Sequence, residues 1–283
     1  MQTYLDCYPC ILRQSIEAAR MAGASQSQQR SIVLRTLEIL QETPEGVTPP
    51  EIGTKVHRAV REMTGTADPY RHVKRKATLR ALGMLPDLNE RLTQAKDRLD
   101  TALRLSIAGN IIDFGPNPQY DLWEVVERVL EQDLAIDHTG DLREQLASVD
   151  DILYLSDNAG ETVFDRLLIE TLPKPVTYVV RQGPVINDAT LEDALLAGID
   201  QVAEVIDNGS QDPGTILSHC SAAFRAKFED APLILAKGMA NYETLSGVPA
   251  PLFFLLQVKC PVISQDIGVP VGSTVVKRAG RRP

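Results

Sequence analysis

Ile152-Leu153-Tyr154-Leu155-Ser156-Asp157-Asn158-Ala159-Gly160-Glu161-Thr162-Val163-Phe164 is the stretch on which the fold turns. A short apolar run of strand-forming residues ends at an acid and an amide. A small-residue turn follows, and then a helical run. Asp157 offers an anionic oxygen and Asn158 a carbonyl oxygen, and a helix start points backbone N–H groups at an anion. In an open α/β sheet, ligands bind outside the carboxyl ends of the strands. The pair therefore suits a metal-and-phosphate site. Asp and Asn are also common helix caps, and the motif alone leaves that role open.

The same alternation continues on both sides. Strands are expected over Ile111 to Phe114, Ile152 to Leu155, Val176 to Val180, Gln201 to Ile206, Leu233 to Leu235 and Phe253 to Val258, with helices between most of them. Such alternation predicts an α/β fold, a three-layer αβα sandwich on a mainly parallel sheet. Before residue 105 the pattern is helical. Apolar residues recur at helical spacing over 10–22 and 27–42, and Thr48-Pro49-Pro50-Glu51 opens a helix to about Thr64. Further helices are expected over 71–82 and 87–108. The reading is an N-terminal helical domain over 1–104, an αβα domain over 105–276, and a frayed basic tail over 277–283.

The chain has 283 residues and a formal charge of −9, which argues against a broad nucleic-acid surface but not against a small phosphorylated substrate. No long uncharged apolar stretch predicts a membrane span, and the first residues lack the pattern of a signal peptide, so a cytoplasmic protein is expected. Four cysteines are too few for a disulfide scaffold. Nothing in the chain specifies an oligomeric state.

Three more strand ends are polar: Arg181 to Thr190, Asp207 to Thr215, and Ala236-Lys237-Gly238-Met239-Ala240-Asn241-Tyr242-Glu243. Each alone is an ordinary turn. In a parallel sheet they emerge on one edge and converge. Together they hold oxygen ligands for a divalent ion, a Gly-flanked anion loop, and Lys237 as a positive charge for phosphate oxygens.

Asp157-Asn158-Ala159-Gly160-Glu161, Gly183-Pro184-Val185-Ile186-Asn187-Asp188-Ala189-Thr190 and Lys237 to Glu243 resemble, in order, the motifs of the damage-control phosphatase family, formerly domain of unknown function eighty-nine. Ala108-Gly109-Asn110-Ile111-Ile112-Asp113-Phe114-Gly115 resembles a further family motif. Cys7-Tyr8-Pro9-Cys10 resembles the prokaryotic branch with an N-terminal Cys-x-x-Cys. The resemblance implies a metal-dependent phosphatase with a helical domain on an αβα sandwich. It hydrolyses a small phosphometabolite, such as a sugar phosphate or a damaged cofactor or nucleotide derivative. By motif, Asp157, Asn158 and Asp188 are the metal ligands, and Lys237 binds phosphate. Asn110, Asp113, Glu161 and Asn241 line the substrate pocket. The implied cofactor is a divalent ion: Mn, Co, Ni or Mg.

Other readings stand beside this one. A methyltransferase or other nucleotide-cofactor enzyme would use the same sheet edge, but neither Asn110 to Gly115 nor Asp157 to Glu161 has the G-x-G spacing. An aspartyl-phosphate mechanism at Asp157 expects an acid two residues on, where Ala159 stands, so attack by a metal-bound water is preferred. A metal- or redox-sensing module would use Cys7 and Cys10, with Cys260 a third candidate ligand. Buried inert thiols are the plainer reading of these cysteines. The Arg71 to Lys76 run reads as a solvated basic face, with Lys74 the member best placed to meet an anionic substrate. None of the four histidines is read as catalytic, and Trp123 is read as core.

Overall fold

The computed structural model describes residues 1–111 and 122–280. Three helices open the chain: α1 (Cys7–Met21), α2 (Gln26–Gln41) and α3 (Pro49–Thr64). Local chemistry sets their starts. Ser25 and Gln28 form a capping box on α2, and Thr48 and Glu51 form one on α3 with prolines in the first turn. Gly65, at φ +69°, ends α3 in a left-handed cap. The three helices bury Ile11, Ile39, Leu40, Ile52 and Val56 among themselves.

Next come α4 (Arg71–Gln94) and α5 (Arg98–Ile111). The expected break between 82 and 87 is absent, and Pro86 lies inside α4. Proline removes one helical hydrogen bond, but Met84, Leu88 and Leu92 are buried in one core and carry the helix across it. The chain breaks after Gln94 instead. Ile111, expected to begin a strand, ends α5, and the remainder of that strand and Asp113 lie outside the described residues. The boundary expected at 104/105 falls inside α5, whose Ala102, Leu103, Leu105, Ile107 and Ala108 share a core with the sheet.

The rest is the sandwich: α6 (Leu122–Glu131), β1 (Ile136–Asp137), α7 (Thr139–Ser148), β2 (Ile152–Leu155), α8 (Thr162–Ile169), β3 (Val176–Val180), α9 (Leu191–Ala197), β4 (Glu204–Asp207), α10 (Ala222–Asp230), β5 (Ile234–Lys237), α11 (Gly238–Leu245), β6 (Leu252–Gln257), α12 (Pro261–Ile267) and β7 (Thr274–Arg278). Among the described residues the sheet order is β1-β7-β6-β5-β2-β3-β4. Strands β6-β5-β2-β3-β4 are parallel, and β7 pairs antiparallel with β6. β1 and β7 were not expected from the sequence. Lys277 and Arg278 belong to β7, so the fraying expected from 277 does not begin there.

Both faces of the sheet are covered. Tyr154, Tyr178, Val180, Leu235, Phe253 and Leu255 enter one core with residues of α4, α5 and α8. Leu153, Leu155, Val179, Ala236 and Phe254 enter the other, with residues of α10, α11 and α12. This is the three-layer αβα arrangement expected, with the near-continuous apolar strands that burial on two faces demands. From β2 the chain steps outward through β3 to β4, then returns to the other side of β2 for β5 and β6. The order reverses between β2 and β5, and in open α/β sheets that switch point, at the carboxyl ends of the strands, is the crevice where ligands bind. Among the described residues, no helix is long and apolar enough to cross a membrane. Trp123 is half-buried at the edge of the core with the Arg91 guanidinium 5.3 Å from its ring centre, rather than deep inside it.

His57 of α3 is buried edge-on to Tyr70, and its Nε2 has no hydrogen-bond partner. Burial, and then the charge of Arg61, push its pKa from 6.5 down to about 4. The unfolded chain takes up a proton near 6.5 and the folded chain does not. The stabilisation is therefore complete above 6.5 and is lost as pH falls towards 4, by ~3 kcal/mol. Urea unfolding at pH 7 and pH 4.5 should show a smaller acid loss in His57→Phe than in the wild type. Equal losses would contradict the assignment.

Candidate active site

Asp157 and Asn158 follow β2, and Lys237 ends β5, so the two sides of the crevice carry an acid–amide pair and a lysine. The loop after β3 is sewn to the end of β2. Ala189 N–H donates to Asp157 O at 2.8 Å, and Ala159 N–H donates to Asn187 O at 2.8 Å. Asn158 and Asp188 form an antiparallel bridge. Asp157, Asn158 and Asp188, which the sequence spreads over 32 residues, are thus brought together.

Amide groups organise the carboxylates. Oδ2 of Asp157 accepts from Nδ2 of Asn110 at 2.9 Å and from Nδ2 of Asn158 at 3.1 Å. The same two amides donate to Oε1 of Glu161, at 2.7 and 2.6 Å. With Nδ2 of Asn158 committed in this way, its carbonyl oxygen is the atom left to face a ligand. Asn110 comes from the end of α5, so the helix that covers the sheet also completes the site.

Burial sets the electrostatics. Asp157 is only 6 % exposed, and its pKa is held well above the ordinary range by desolvation and then by the charges of Glu161 and Asp188. Lys259 and Arg181 oppose that rise. Asp188 is raised too, chiefly by burial, and Arg181 opposes the rise. Two neighbouring carboxylates that resist ionisation together are a place where a cation gains.

The backbone packs tightly beside them. Gly238, at φ +77°, opens α11 directly against Asp157, and a Cβ there would lie 1.9 Å from Oδ2. Only glycine permits that approach. Among the described residues, no three His, Cys, Asp or Glu side chains stand in metal-holding geometry. A cation here would be held by two carboxylates and the Asn158 carbonyl, a hard oxygen set that leaves positions for water.

Lys237 is placed differently from the expectation of an open phosphate contact. Its Nζ is fully buried and donates to Ser106 O at 2.9 Å, Glu161 Oε2 at 3.1 Å and Asp165 Oδ1 at 2.7 Å. All three of its donors are used. Asp165 is buried with it and accepts from Ser106 Oγ, Tyr154 OH and Tyr178 OH at 2.9, 2.7 and 2.8 Å. Asn241 lies below the same crevice and donates to Ser156 O and Lys237 O, while its Oδ1 accepts from Thr215 Oγ1. Its amide is therefore a strut under the two strand ends.

Asp165, Arg181 and Lys259 were not singled out from the sequence. Lys259 stands just beyond β6, so the strand-end rule extended to one more strand would have found it. Asp165 is an acid within the apolar run Val163 to Leu168, and that break in pattern was its only sign. Lys74, by contrast, was read as part of a solvated basic face and as its member best placed to meet an anionic substrate. It is 3 % exposed and pairs with Asp68 at 3.0 Å and Asp193 at 2.9 Å, tying α4 to the start of α9. The cysteines sit apart from the crevice chemistry. Cys7 opens α1 and Cys260 caps α12, and the two lie in or against one apolar cluster, with thiol pKa values raised by burial.

The matched family description is the damage-control phosphatase ARMT1-like domain, over residues 3–275. The Methanocaldococcus jannaschii protein MJ0202 is 37% identical, across 96% of this chain and 93% of its own length. Damage-control phosphatase PH1575 of Pyrococcus horikoshii is 33% identical across 98% of both chains, and a damage-control phosphatase of Archaeoglobus fulgidus is 36% identical across 96% and 97%. The crystal structure of PH1575 superposes with a TM-score of 0.90, covering 99% of this chain and all of that one. A full-length family match, relatives above 30% identity and a shared architecture lead to one conclusion: the chain belongs to the ARMT1-like damage-control phosphatase family.

Proposed function

We propose that the protein is a metal-dependent phosphomonoesterase acting on a small phosphorylated metabolite, a sugar phosphate or a damaged cofactor or nucleotide derivative. The observation that carries this reading is the meeting of Asp157, Asn158 and Asp188 at the reversal of strand order, with Gly238 letting the start of α11 close against the Asp157 carboxylate. The names of the P. horikoshii and A. fulgidus relatives support phosphatase chemistry.

Asp157 and Asp188 supply negative charge to a divalent ion, and the Asn158 carbonyl supplies a neutral oxygen. When bound, the ion polarises a phosphoryl oxygen and acidifies a water molecule. Asn110 and the Asn158 amide keep the Asp157 and Glu161 carboxylates turned towards each other. Lys237 holds Glu161 in place through the 3.1 Å contact to Oε2. A direct Lys237 contact with phosphate requires Nζ to exchange one of its three partners for a phosphate oxygen.

The test is phosphate release from a panel of sugar phosphates and nucleotides, with Mn, Co, Ni or Mg added in turn. Release from at least one substrate is expected. A chelator should abolish it while the circular dichroism spectrum holds. Full activity in metal-stripped protein would contradict the metal-dependent reading.

A further inference from the structure

We propose that Arg181 is a positioning residue that fixes Asp188 against the end of β2 through its forked guanidinium, and so sets the affinity of the site for a divalent cation. The inference rests on the metal-dependent reading above.

Arg181 is the first residue after β3 and is 1 % exposed. Its Nε donates to Asp188 Oδ1 at 2.9 Å, and its Nη2 donates to Ser156 O at 3.3 Å. Ser156 immediately precedes Asp157. One planar group therefore joins the acid of the β3 loop to the strand that carries Asp157 and Asn158. A lysine in its place offers a compact charge and cannot span both acceptors with fixed geometry.

The backbone of Arg181 closes the neck of the same loop, since its N–H donates to Ala189 O and it bridges Thr190. Within the loop, Ile186 is held at φ +44°, a conformation that a β-branched residue rarely adopts. Such a loop keeps its shape only where its surroundings over-determine it.

The guanidinium is not fully matched. Nη1 is buried and has no hydrogen-bond partner, as are Asn208 Nδ2 and Ser210 Oγ after the neighbouring β4. Burying a guanidinium with an unsatisfied donor is unfavourable, and an apolar side chain would avoid that cost only where no buried carboxylate needed the charge. A role limited to packing does not account for an arginine here. The hold on Asp188 does.

The sign of one measurement separates the alternatives. A positive charge near a cation site repels the cation, so charge alone predicts that removing Arg181 tightens binding. Positioning predicts the reverse. Mn²⁺ is titrated into metal-stripped wild type, Arg181→Met and Arg181→Lys, with free Mn²⁺ followed by electron paramagnetic resonance. Arg181→Met should bind about 10–100-fold more weakly, the range for removing a group that orients a metal ligand. Its metal-free melting temperature should fall, because Asp188 stays buried without its counter-charge, so Mn²⁺ affinity rather than the melt carries the test. Arg181→Lys keeps the charge without the fork and should also bind weakly. If Arg181→Met does not fold, Arg181→Lys alone carries the test. In an Asp188→Asn background, Arg181→Met should leave the residual affinity unchanged. Unchanged or tighter Mn²⁺ binding in Arg181→Met, or full affinity in Arg181→Lys, would overturn the proposal. A wild type that binds no Mn²⁺, Co²⁺, Ni²⁺ or Mg²⁺ would overturn the metal-dependent reading itself and this inference with it.

Discussion

Asp157→Asn should nearly abolish phosphate release and at the same time raise the melting temperature of the metal-free protein. The two effects have one cause. Asp157 is buried beside Glu161 and Asp188, and both neighbours disfavour its charge. The isosteric amide removes that repulsion, and each kcal/mol relieved is worth ~2–4 °C in a chain of this order of size. The same charge is what a divalent ion requires. Its loss forfeits several kcal/mol of transition-state stabilisation, roughly a thousandfold in rate. The checks are a thermal melt with chelator and a turnover assay with Mn²⁺ in excess. Near-normal turnover would place the chemistry elsewhere. A lower metal-free melting temperature would show that the Asn110 and Asn158 amides hold the carboxylate more firmly than its neighbours repel it.

Much of this arrangement was legible because strand ends announce themselves. The run to Leu155 and the run to Val180 end where β2 and β3 end, since continuous apolar residues followed by Asp-Asn or Arg-Gln-Gly leave little choice of boundary. β7 was illegible for the opposite reason. Its outer residues are Lys277 and Arg278, and nothing local separates such a strand from a basic tail; pairing with β6 makes it. Two helices were expected where α4 is one, because spacing is read locally, whereas the burial of Met84, Leu88 and Leu92 in one core is not local. In the site, residue types at loop positions could be read, but their partners could not. Lys74 and Lys237 both read as mobile cations, and both are locked between two carboxylates supplied by distant segments. Arg181 was visible only as part of a loop, because its significance lies in Ser156 and Asp188.

Lys237→Met should lower stability by about 3–5 kcal/mol as well as turnover, because it leaves Glu161 and Asp165 buried without their counter-charge. A phosphate clamp at the mouth of the crevice predicts something else: lost turnover at unchanged stability. The difference is measurable by urea unfolding of metal-free protein at neutral pH. A second substitution sharpens it. An amide at 165 can still accept from Ser106 and Tyr154 on its oxygen and can donate to the Tyr178 hydroxyl in place of accepting from it, so Lys237→Met/Asp165→Asn should recover much of the lost stability. Turnover should not recover with it, since Glu161 would still lack the ion pair that holds it beneath Asn110 and Asn158. If Lys237→Met unfolds at the same urea concentration as the wild type, the buried network is not a stabilising unit, and Lys237 spends its time on a partner other than Asp165.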